Sequence, residues 1–137
     1  MSGSFVVQSS SKSANMGRRW RCFGHAFDGL IFLQRNEPNA RVHLFATVAV
    51  IALAATLRVS LEDWRWLILA ITLVWAAEGL NTAVEQLCNR VSPGFDPRIK
   101  AAKDVAAAAV LVSAAAAAAI GALTFFPYLA RALAAAR

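Results

Sequence analysis

The chain has 137 residues, enough for one domain, and carries a formal net charge of +6 with 58% hydrophobic and 16% charged residues. A soluble domain usually holds about 25% charged residues; here the apolar content is gathered into three blocks between charged segments, which argues against an ordinary soluble globule and for a bilayer. The positive charge flanks those blocks and comes with no aromatic–basic stripe or nucleic-acid motif, so it points to anionic headgroups and membrane topology and not to nucleic acid.

Residues 1–16 are rich in Ser and other small residues, show no periodicity and read as a disordered tail. The N-terminal region is polar and basic and lacks the apolar core of a cleavable signal peptide. From residue 17 to 35, Trp20, Phe23, Phe27, Leu30 and Ile31 recur at three- and four-residue steps, with Arg18, Arg21, His25, Asp28 and Arg35 largely between them. That alternation predicts an amphipathic helix lying on the membrane surface, with Asp28 and Arg35 on its solvated face.

The segment Glu37–Pro38–Asn39 breaks the chain before a first span at 41–57, short for a transmembrane helix. A second span is expected at 64–88, with Trp64 and Trp66 at its interface and Trp75 as a further anchor or packing residue. Ser92, Pro93, Gly94 and Pro97 predict a polar loop over 89–104. An alanine-rich third span follows at 105–126, its small side chains suited to close helix packing. Residues 127–137 read as a basic, interfacial tail. Cys22 and Cys88 lie in no CxxC pair or ligand cluster and read as reduced thiols.

Residues 1–41 hold six Lys or Arg against two acids, the loop after the second span four against two, and the short loop 58–65 two of each. The positive-inside rule therefore places the N-terminus and the second loop in the cytoplasm and the C-terminus outside.

The second span is strongly apolar as far as Ala77 and then carries Glu78, Asn81, Thr82 and Glu85, of which Glu78, Asn81 and Glu85 stand at i, i+3 and i+7. Positions i, i+3 and i+7 share one helix face, so two carboxylates and an amide form a stripe. Facing lipid they would cost several kcal/mol, which directs them toward protein, water or a cation. Glu37, Lys103 and Asp104 stand at the same membrane depth on this topology. Carboxylates can hold Mg²⁺, and Lys or Arg can neutralise phosphate. Polar residues that merely bind helices together, or that line a proton or ion path, explain the stripe equally well. With no Walker A loop or GxGxxG present, the residues alone do not specify ATP.

Glu78-Gly-Leu-Asn-Thr-Ala-Val-Glu85 resembles the prokaryotic diacylglycerol kinase signature E-x-x-N-[ST]-A-[IV]-E. Ala102-Lys-Asp-Val-Ala-Ala-Ala-Ala-Val110 is similar to that family's A-K-D-x-[AG]-[AS]-A-A-V. Asn36-Glu-Pro-Asn-Ala-Arg-Val-His43 resembles its E-x-N-[FA]-R-[IV]-H stretch, leaning to the undecaprenol kinase branch. The motifs keep family order and spacing across residues 18–126. The resemblance implies an all-α membrane protein with an amphipathic surface helix and three transmembrane helices. It also implies a homotrimer in the bacterial cytoplasmic membrane whose active sites are shared between subunits. The implied reaction transfers phosphate from Mg²⁺–ATP to a membrane lipid alcohol, diacylglycerol or undecaprenol.

The implied roles follow the matching positions. Glu37 and Glu85 hold metal, and Glu78 is the general base. Asn81 supports the site, and Lys103 and Asp104 contact the nucleotide. Arg18 lies near ATP and lipid, and Arg41 lies in the lipid-facing segment. Three departures stand out: Asn89 where the family usually has Asp, His25 at the place of a Tyr near the nucleotide, and Phe95-Asp96 in place of Tyr-His. His43, a lone histidine without evident partners, is expected to be an interfacial packing residue. The alternative from another class is a non-enzymatic membrane protein, an ion-conducting or helper subunit.

Overall fold

A computed structural model describes residues 10–135, which form four helices: α1 (Ser10–Asn36), α2 (Pro38–Thr56), α3 (Leu61–Val91) and α4 (Pro97–Ala135). The chain divides into two compact units, residues 1–36 and 37–137. Three of the helices, α2, α3 and α4, are long and apolar enough to cross a membrane.

The first unit contains one uninterrupted helix. It begins at Ser10, ahead of residue 17 where periodicity placed it. Elongating an existing helix is far easier than nucleating one, and no Pro interrupts residues 10–16. Residues 1–9 of the tail expected at 1–16 lie outside the described residues. Phe23, Phe27 and Leu30 are exposed, as is His25.

In the second unit, Glu37 is extended (φ −109°, ψ 114°) and Pro38 opens α2. Proline disfavours helical geometry in the residue before it and tolerates the first helical turn, so the break falls at Glu37. Glu37 occupies the N-cap position without a side-chain cap hydrogen bond.

Helix α2 closes in a Schellman arrangement: Arg58 N donates to Ala55 O (3.2 Å) and Val59 N to Ala54 O (3.1 Å). Arg58 has φ 50°, a left-handed conformation that usually falls to glycine. Burial of Ala54 and Val59 together accompanies the turn. Ser60 then caps α3, its Oγ accepting from Asp63 N at 3.1 Å.

The loop between α3 and α4 spans only residues 92–96, shorter than the predicted 89–104. Asn89, Arg90 and Val91 continue α3, whose 31 residues rise about 46 Å, well past a hydrocarbon core of about 30 Å. Pro97 starts α4 instead of ending a loop. The Asp96 carboxylate accepts from Arg98 N (2.7 Å) and Ile99 N (3.4 Å), capping the helix. The charged residues from Arg98 to Asp104 are therefore helical; polarity ruled out burial in lipid, not helix.

The expected tail at 127–137 is likewise helical as far as Ala135, with Pro127 inside α4. Tyr128 explains part of this continuation. Its hydroxyl donates to Asp63 Oδ2 (2.6 Å) and accepts from Ser60 N (3.0 Å), while Arg131 lies 5.5 Å from its ring centre. These contacts place the far end of α4 beside the α2–α3 turn. Ala54, Val59, Leu67 and Phe125 form a buried cluster there, with Trp64 and Tyr128 packed against it. The end of the bundle remote from Glu37 is thus closed by hydrophobic packing and side-chain hydrogen bonds.

Candidate active site

The stripe expected on the second span is present on α3. Glu78 is 1% exposed, Asn81 7% and Thr82 4%. Glu78 Oε2, Asn81 Oδ1 and Thr82 Oγ1 are buried without a hydrogen-bond partner. An orphaned buried polar atom costs about 1–3 kcal/mol, more when charged, so three on one helix face mark a place built for something else. The sequence shows Thr82 among the polar residues of this span, but the i, i+3, i+7 stripe leaves it out. Its position one turn after Glu78 puts it on the same face, which was the available signal.

Helix α2 meets this face at two points. His43 Nε2 lies 4.0 Å from Glu78 Oε2. One turn further along, Trp75 Nε1 donates to Thr47 Oγ1 at 3.0 Å, and Thr47 Oγ1 donates to His43 O at 2.7 Å. Trp75, expected as an anchor or packing residue, therefore also ties α2 to α3. The charges of Glu37 and Glu85 both act on Glu78. The face of α3 that carries Glu78 thus meets α2, whose N-cap residue is Glu37. A cavity of about 420 Å³ runs beside it between α2, α3 and α4, bounded by Thr47, Val50, Val74, Ala118 and Gly121, with His43 as its ionisable residue.

Beyond Glu85 the α3–α4 loop encloses a second cavity of about 570 Å³, which Glu85, Asn89, Phe95, Lys103 and Asp104 line. Lys103 Nζ donates to Asn89 Oδ1 at 2.9 Å. Asp104 pairs with Lys100 at 2.5 Å on the exposed side of α4, so its carboxylate is already engaged. Asp96 lines the same cavity but is occupied in capping α4. Phe95, 85% exposed, presents its ring at the cavity rim.

The structure therefore aligns Glu78, Asn81 and Glu85 along one face of α3, puts Glu37 at the start of α2, and sets Lys103 and Asp104 in the cavity that Glu85 borders. Arg41 is exposed on α2. Arg18 and His25 belong to α1, in the other unit. Among the described residues no group of three or more His, Cys, Asp or Glu side chains is arranged to hold a metal ion. Mg²⁺ commonly takes only one or two protein carboxylates and completes its shell with water and phosphate. The hard oxygen donors of Glu37 and Glu85 fit that demand.

A sequence profile described as "Prokaryotic diacylglycerol kinase" matches residues 24–125. The chain is similar to an undecaprenol kinase of Bacillus subtilis, 33% identical over 123 residues, which are 90% of this chain and 100% of the relative. It is also similar to a diacylglycerol kinase of Synechocystis sp., 37% identical over 108 residues, 77% of this chain and 61% of that protein.

Proposed function

The chain belongs to the prokaryotic diacylglycerol kinase family and is a lipid kinase, and we propose that it transfers the γ-phosphate of ATP to the primary hydroxyl of a membrane lipid at the α3 carboxylate face. The observation that carries the site is the set of buried, unpartnered atoms on Glu78, Asn81 and Thr82, with a cavity lined by Glu85 and Lys103 further along α3. We favour undecaprenol over diacylglycerol as acceptor. The undecaprenol kinase matches along its whole length, and the Asn39–His43 stretch leans the same way. Radiolabelled ATP offered with each lipid in mixed micelles tests the reading: labelled lipid supports it, and no transfer to either lipid refutes it.

In this reading Glu78 accepts the lipid hydroxyl proton as the oxygen attacks the γ-phosphorus in line, and ADP leaves. Glu85 stands two helical turns away, about 10 Å along the axis, beside the cavity assigned to the nucleotide. Lys103 neutralises phosphate charge, and Asn81 supports the arrangement. Glu37 and Glu85 would hold Mg²⁺, which when bound supplies charge neutralisation on the phosphate oxygens. Asp104 contacts the nucleotide after exchanging its Lys100 partner. By resemblance to the family, α1 is a surface helix exposing Phe23, Phe27 and Leu30, Arg18 and His25 are assigned to the nucleotide, and Arg41 to the lipid. The broad apolar faces left exposed on α2, α3 and α4 are covered by bilayer and by two further copies in a homotrimer.

Two predictions follow from this placement. A reporter fused to the C-terminus of the full chain will read outside the cytoplasm, because three spans follow a cytoplasmic N-terminus; a cytoplasmic reading refutes the orientation. Asn89→Asp will leave kcat within about threefold but raise the KM for ATP about three- to tenfold. A carboxylate holds Lys103 more strongly than the amide does, by roughly 1 kcal/mol, and so competes with phosphate. An unchanged or lower KM shows that Lys103 does not engage the nucleotide.

A further inference from the structure

We infer that His43 is a positioning residue for Glu78: its imidazole N–H closes onto the unpartnered Glu78 Oε2 in the substrate complex and holds that carboxylate in line with the lipid hydroxyl. The inference rests on the lipid-kinase reading above.

Three observations support it. Glu78 Oε2 is buried without a hydrogen-bond partner, and His43 Nε2 is 4.0 Å away. Hydrogen-bond length requires an approach of only about 1 Å, the kind of tightening that catalytic contacts show between free enzyme and complex. Among the described residues, the ionisable groups whose charges act on Glu78 include His43, Glu37 and Glu85; of these His43 is the natural proton donor, the other two being carboxylates. Its backbone is also held in place, since the Trp75–Thr47–His43 hydrogen bonds tie that turn of α2 to the turn of α3 just before Glu78.

The apolar cavity points the same way. A packing histidine would line its wall at the expense of a buried polar ring. His43 lines this wall with its Nε2 4.0 Å from Glu78 Oε2, so a carboxylate stands within reach of the polar edge of the ring.

The experiment compares His43→Gln and His43→Leu in the full chain, assayed by labelled transfer in mixed micelles. Gln retains an N–H donor and Leu retains bulk alone. Leu is expected to lower kcat about 10- to 100-fold with the KM for ATP unchanged, and Gln to restore most of it. In a Glu78→Gln background, His43→Leu is expected to have no further effect, because His43 acts through Glu78. Leu as active as Gln, or a full additional loss in the double variant, overturns the inference. Wild-type protein that phosphorylates neither lipid instead overturns the lipid-kinase reading. A second readout does not depend on turnover. With nitrogen-15 histidine, the His43 ring resonance is expected to move on Glu78→Gln while that of His25, the other histidine, stays fixed. An unmoved His43 resonance also overturns the inference.

Discussion

Glu85→Gln is expected to abolish detectable phosphate transfer while leaving the protein folded. Glu85 is half-buried, borders the loop cavity with Lys103 and Asp104, and lies close enough to Glu78 for its charge to be felt there. An amide of the same shape preserves packing but removes the negative charge that a hard divalent cation requires. Charge neutralisation of a transferring phosphoryl group is worth several kcal/mol, so the loss should reach about 10³-fold or more. The decisive measurement is turnover as a function of Mg²⁺ for the purified variant, with its melting temperature recorded in the same detergent. Normal turnover at limiting Mg²⁺ would remove Glu85 from the metal site.

Glu78→Gln is expected to lower kcat about 10²- to 10⁴-fold, the usual worth of general-base assistance, with ATP binding largely intact. Glu78 is almost wholly buried and its Oε2 lacks a hydrogen bond. A carboxylate kept in that state is expensive for the fold, and a neutral amide relieves the cost. The variant should therefore melt at the same or a higher temperature than wild type while turning over far more slowly. That opposition separates a functional carboxylate from one that merely joins helices, since a joining residue would give near-normal kcat in the Gln variant. A folded variant that fails to bind ATP would move Glu78 to a nucleotide or metal role.

The α3 stripe was legible because helical periodicity is local: once the span is recognised, Glu78, Asn81 and Glu85 share a face whatever surrounds them. The break at Glu37 was legible for the same reason, since proline acts on its immediate neighbour. The α3–α4 connection is shorter than composition suggests. In sequence Pro97 reads as a turn former, whereas Asp96 before it makes the pair a helix start. In sequence Pro127 reads as the end of a span, yet α4 passes through it. There the contact of Tyr128 with Ser60 and Asp63, residues far away in sequence, supports the helix beyond the proline.

The same distinction divides what each level of description could determine. The amino-acid order by itself determined three apolar spans, the carboxylate face of α3, and family motifs in their proper spacing, because each depends on chemistry within a few residues of chain. The tertiary structure alone decided that His43 confronts Glu78, that Lys103 is held by Asn89 while Asp104 turns to Lys100, and that Asp96 is spent on capping α4. Hydrogen bonds act over about 3 Å, and only packing determines which distant side chains come within that reach.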